Sequence, residues 1–177
     1  MCIEYYKLIS NTAYSNSEKL FTRTFELFSI LINSIQYGLT SNAGLEVIRL
    51  SLECIIPLCN RIFASQLQQT NYGLSLRNLF KVVFNLIFQN SFEIDLFEVS
   101  SNALYSLICC YQDTYTMLVN DLVAQYDDEQ LKAKILSGFQ ALTPTNFIFS
   151  LDKRNRLKFN SKFNDFCIKT YGLLFIR

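Results

Sequence analysis

Apolar residues recur at three- and four-residue spacing through nearly the whole chain, the signature of amphipathic helices. Phe21, Phe25, Phe28, Ile32 and Ile35 make the first stripe. Ser15 followed by Glu18 has the form of a capping box, so a helix is expected to start there and to end near Gly38, where glycine suits a left-handed cap. A second helix is expected from Ser41 or Asn42, with Leu45, Ile48, Leu52, Ile55, Cys59 and Ile62 on one face. Pro57 within it lacks the N–H that would bond to Glu53 and predicts a kink. The polar run from Gln66 to Gly73 reads as a loop. Leu76, Phe80, Val83, Phe84 and Ile87 mark a third helix ending near Asn90, which with Glu93 can cap the next helix.

From about Phe92 to Gln125 the pattern is helical again, bent around Ser100 and Ser101, with Leu104, Leu107, Tyr111, Tyr115, Leu118 and Leu122 inward. Asp127 with Gln130 opens a helix carrying Leu131, Ile135, Phe139 and Leu142, and Thr143-Pro144 closes it. Asp152 caps a last helix bearing Phe159, Phe163, Phe166 and Tyr171; only Phe147 to Leu151 looks extended. The fold class is therefore all-α, with roughly six or seven helices in one solenoid segment. Paired in order they give about three hairpins over 16–69, 74–126 and 128–172, near the period of HEAT and armadillo repeats. A closed helical bundle is the alternative. Apolar residues on more than one side of the first helix (Leu20, Phe21, Phe25, Leu27, Phe28, Ile30, Leu31, Ile32) favour an open-ended array.

Composition narrows the function. Half of the 177 residues are apolar and 18% are charged, which excludes disorder as the main state. A net charge of +1 gives no broad field for nucleic acid or an anionic membrane. There is no histidine, which removes the commonest general base, the commonest metal ligand and every Ser/His or Cys/His nucleophile. The five glycines stand singly, so no phosphate-binding loop is present. The expectation is a protein that is not an enzyme, with no catalytic, cofactor-binding or metal residues.

The cysteines are Cys2, Cys54, Cys59, Cys109, Cys110 and Cys167, with no C-x-x-C pair. Cys54 and Cys59 lie about 140° apart on a helix, too far round to share a metal. They read as small buried thiols of a reducing compartment. The first fifteen residues lack a basic start followed by an apolar run, and Leu74 to Phe88 carries Arg77 and Lys81 in too short a span to cross a bilayer. An intracellular soluble protein without membrane insertion is expected.

Two charge clusters remain. Asp127, Asp128 and Glu129 sit where a helix should begin, and suit its N-terminal dipole. Between Asp152 and Lys169 lie six cations, Lys153, Arg154, Arg156, Lys158, Lys162 and Lys169, against two carboxylates. That is a local +4, leaving the rest of the chain at −3. Lys153, Arg154, Arg156, Lys158 and Lys162 are candidate contacts for an acidic partner surface; a solvated helix face is the competing reading.

Five stretches, in order and spacing, carry a resemblance. They are LEVIRLSLECIIPLC (Leu45 to Cys59), LRNLFKVVFNLIF (Leu76 to Phe88), NALYSLICCYQDTYTMLVNDLVAQ (Asn102 to Gln125), LSGFQALT (Leu136 to Thr143) and LDKRNRLKFNSKFNDFCIKTYGLLFIR (Leu151 to Arg177). From about Gln36 onward the chain resembles the C-terminal region of the exportin-4 family of nuclear export receptors, within the importin-β (karyopherin) superfamily. The related exportin-7 branch has similar patterns. The resemblance implies a HEAT-repeat solenoid that carries folded cargo out of the nucleus with Ran-GTP, passes nuclear pore proteins and shuttles between nucleus and cytoplasm. It also implies that the chain is a fragment or a shortened relative, because the superfamily's main Ran-binding surface lies in N-terminal repeats that match nothing here. A free-standing helical adaptor or scaffold without a transport role is the alternative.

Overall fold

A computed structural model describes residues 3–89 and 93–175. Among these the chain forms eight α-helices and no strand. They are α1 (Ile3–Leu20), α2 (Phe25–Thr40), α3 (Leu45–Ala64), α4 (Asn71–Phe88), α5 (Phe97–Cys110), α6 (Gln112–Val123), α7 (Glu129–Leu142) and α8 (Lys153–Lys169). Short 3-10 turns at Ile94–Leu96 and Tyr171–Phe175 precede α5 and follow α8.

The helices stack in two rows. α1, α3, α5 and α8 pack successively in one, while α2, α4, α6 and α7 follow one another in the other. Neighbours in the chain cross between rows, α2 against α3, α4 against α5 and α7 against α8. Each helix therefore buries its stripe against a small number of neighbours, the pattern of a stacked helical-hairpin array. The fold is all-α and solenoid-like.

The core runs the length of both rows. Phe28, Ile35, Leu52, Ile55, Cys59, Ile62, Phe80 and Phe84 fill it at one end. At the other, Phe88, Phe139, Phe163 and Phe166 form an aromatic knot, with Phe139 and Phe166 ring centres 4.8 Å apart and Phe88 and Phe139 5.1 Å apart. Phenols that are buried, or half-buried at Tyr72, tie neighbouring segments to this core. The hydroxyl of Tyr6 donates to the Ser34 carbonyl, Tyr72 to Arg23, Tyr105 to Ser150, Tyr111 to Gly73 and Tyr126 to Leu174, at 2.6–3.0 Å. The carbonyls of Arg23, Ser150 and Leu174 lie outside the α-helices and gain a partner this way, whereas those of Ser34 and Gly73 lie within α2 and α4, where the phenol adds a second bond.

Several local expectations are corrected. α1 kinks at Asn16 (φ −131°, ψ 22°), so a helical turn does begin beside Ser15, but it ends at Leu20, a turn separates it from α2, and Glu18 pairs with Arg61 of α3 at 3.0 Å. Phe21 falls in the turn before α2, its ring 5.4 Å from that of Tyr72. Gly38 is inside α2 and the backbone there stays helical; the glycine with positive φ is Gly44, which precedes α3 at +95°. Pro57 is buried within α3, which continues to Ala64 beyond it and packs against α1, α2, α4 and α5. Ser100 and Ser101 are buried within α5, and the break falls at Tyr111, whose φ of −141° and ψ of 62° separate α5 from α6. Asp128, not Asp127, caps α7, accepting from the Gln130 and Leu131 amides. The stretch from Phe147 to Leu151 is irregular, its Ser150 carbonyl held by Tyr105. Cys2, the Asn90 cap and the expected helix start near Phe92 fall outside the described residues.

Candidate partner-binding helix

Helix α8 is the last member of its row. Asp152 caps it, accepting from the Asn155 amide at 2.8 Å, and Ser150 and the Asn155 side chain hold the carboxylate in place. Those bonds, the Ser150 hydroxyl first, hold the Asp152 carboxyl below the usual carboxylate range. Phe159, Phe163 and Phe166 are buried at i, i+4 and i+7 and fix which side faces the array. Asn160 strengthens the orientation: it accepts from Ser101 Oγ at 2.7 Å and donates to Asn102 Oδ1 at 3.0 Å, both on α5.

This anchoring sorts the five candidate cations. Lys153, Arg154 and Lys158 are exposed and, with Leu157 and Ser161, line one open groove of about 580 Å³. Lys162 is half-buried on the flank toward α7, where its ammonium donates to the Ala141 carbonyl at 3.3 Å in the last turn of that helix. Lys158 and Lys162 also line a recess of about 460 Å³ beneath Pro144, Phe147 and Ile148. Arg156 lies on the opposite flank, within electrostatic reach of Tyr14 on α1. Thus four of the five share a surface and Arg156 does not. None of the five forms an ion pair among the described residues.

A second polar recess, of about 350 Å³, sits near Arg156 and has no counterpart in the spacing of any one segment. Tyr14, Arg49, Glu53, Ile56, Asp95, Glu98, Val99 and Asn102 line it, drawn from three successive helices of one row and the turn before α5. Arg49 binds Glu46 at 2.6 Å and also pairs with Glu53, so its charge is internally neutralised. Those bonds lower the Glu46 carboxyl and raise the Arg49 guanidinium, the mutual Glu46–Arg49 hydrogen bonding being the largest cause for both. Burial and the charge of Glu53 push the Tyr14 phenol up, with Arg156 acting against them. The fold thus places a carboxylate-bearing recess and a cationic helix side by side.

Among the described residues no group of three His, Cys, Asp or Glu side chains is placed to hold a metal ion, and no helix is long and apolar enough to cross a membrane. The thiols of Cys54, Cys59 and Cys109 are buried, and Cys110 donates to the Cys59 carbonyl at 3.5 Å. In comparisons with known proteins, no family model matches the chain and no solved structure matches it.

Proposed function

We propose that the chain is the C-terminal segment of an exportin-4-like nuclear export receptor, a non-enzymatic helical array that binds protein cargo together with Ran-GTP. The observation that carries this reading is the two-row stack of amphipathic helices ending in a cationic helix whose five candidate cations form no ion pair among the described residues. Arrays of this kind offer extended surfaces, and each unit leans only on its neighbours, so curvature can change with little cost. The order and spacing of the five stretches between Leu45 and Arg177 support the exportin form of the reading. In that form Ran-GTP and cargo each favour the same curvature, so each strengthens the other's binding. Nuclear pore proteins and shuttling between nucleus and cytoplasm belong to the same proposal.

The test is purification from cells through a tag on this chain, with Ran held in its GTP or GDP state. Retained protein is expected to include Ran-GTP and a cargo set that is lost with Ran-GDP. Equal recovery in both states overturns the transport reading and leaves a helical scaffold.

A further inference from the structure

The outward side of α8 is more than a charged face. With Phe159, Phe163 and Phe166 buried, a turn of about 100° per residue places Leu157, Ser161, Asn164 and Ile168 in one line pointing away from the array. Leu157 is 57% exposed and Ile168 73% exposed, about 16 Å apart along the axis, with the small side chain of Ser161 between them. Lys158, Lys162 and Lys169 run along one edge of this line, and Lys153 and Arg154 lie at its start; Asp165 is the single carboxylate among them. Two apolar knobs, a hole and a row of like charges beside them are the ingredients of a helix–helix seam.

Position in the fold agrees. α1, α3, α5 and α8 follow one another in a row, and α8 touches α5 and α7 on its inner side. The open side is where a further helix of the row would stack. We propose that this seam receives an acidic amphipathic helix from a partner protein, which continues the row in trans. Its apolar residues sit on Ser161 between Leu157 and Ile168, and its Asp or Glu side chains face Lys158, Lys162 and Lys169. These lysines form no ion pair among the described residues and so select an anionic partner. All aromatic side chains of α8 point inward, which leaves no stacking platform for bases. The apolar line is one residue wide, too narrow for the broad apolar face of a membrane-surface helix.

This deepens the reading of α8 as a partner surface and rests on it, but needs neither Ran nor cargo. The probe is a synthetic helix of about 21 residues with Leu at a and d and Glu at e and g, titrated into the full chain by fluorescence anisotropy. Lys158→Glu combined with Lys162→Glu is expected to weaken binding at least tenfold, and Ser161→Trp to do so without changing charge. A peptide of equal charge with Ser replacing each Leu is expected to bind at least tenfold more weakly. Circular dichroism checks that each variant keeps its helix content. Equal affinity for the two peptides, no effect of either variant, or tighter binding to phosphatidylserine vesicles or poly(U) than to the Leu/Glu peptide overturns the proposal. Because the purification with Ran is a separate measurement, failure of the peptide leaves the transport reading to its own result.

Discussion

Burial acts most plainly on single residues that can ionise. Desolvation pushes the Cys54 and Cys109 thiols from an ordinary 9.0 up to about 12, and it raises the Tyr105 and Tyr111 phenols as well. The unfolded chain releases these protons at lower pH than the folded one. Their contribution to stability is therefore fully present below about pH 9 and is lost as pH rises toward about 12. The melting temperature is expected to fall steeply across that window, and replacing both thiols (Cys54→Ala with Cys109→Ala) to flatten the decline while lowering the plateau. A melting temperature unchanged from pH 9 to pH 11 contradicts the assignment. The same cause makes both thiols poor nucleophiles at neutral pH.

Helix approach is decided at Gly38. A Cβ built there overlaps Ser51 Oγ on α3 and the Tyr6 ring on α1, so glycine lets α2 seat against both. Propensity alone favours Gly38→Ala by roughly 0.5–1 kcal/mol within a helix. Overpacking should reverse the sign, and a net loss of about 1–3 kcal/mol is expected in urea unfolding. Sequence spacing reads Gly38 as a cap because a lone glycine near polar residues looks the same whether it ends a helix or admits a neighbour. Comparable limits explain the other differences. The strong stripes from Leu45 to Ile62, Leu76 to Ile87 and Phe159 to Phe166 locate α3, α4 and α8, since periodicity states which side is buried. α1 escapes notice because its mean hydropathy is near neutral and its buried set is only Tyr6, Ile9, Ser10 and Ala13. At the break, the Tyr111 phenol reaches the Gly73 carbonyl, a contact 38 residues distant that no local pattern encodes. At the candidate surface, charge spacing marks the five cations, but only packing separates Arg156 from the other four. The recess around Glu53, Asp95 and Glu98 is illegible in sequence for the same reason, being assembled across helices.

Across the whole molecule the two ends of the stack differ. At the α8 end the exposed surface is cationic. The opposite end, formed by α1 and α2, exposes Tyr5, Leu8, Leu27, Ile30 and Tyr37, and a groove of about 550 Å³ between the two helices is lined by Tyr5, Tyr6, Ile30, Asn33, Ser34 and Tyr37. Of the apolar residues counted in the sequence as favouring an open-ended array, Phe28 is buried and Phe21 partly so, while Leu27 and Ile30 are exposed. Contiguous apolar exposure of this kind binds hydrophobic dyes or drives association. The chain is expected to enhance the emission of such a dye or to self-associate in sedimentation, and Ile30→Glu with Leu27→Glu to abolish the effect. A chain that stays monomeric and leaves the dye dark contradicts this description of the α1–α2 face.

The tyrosine hydroxyls that bond distant backbone carbonyls have an optical consequence. The chain has ten tyrosines and no tryptophan, so no indole drains or masks phenol emission. Tyr6, Tyr72, Tyr105, Tyr111 and Tyr126 each report on a different junction, from the α1–α2 contact to the tail beyond α8. Releasing one hydroxyl from its carbonyl changes that ring's absorbance and lifetime while the others stay as they were. Single Tyr→Phe changes would therefore assign each spectral component, and a denaturant series read at this wavelength alone would show whether the array comes apart as one body or unzips from one end.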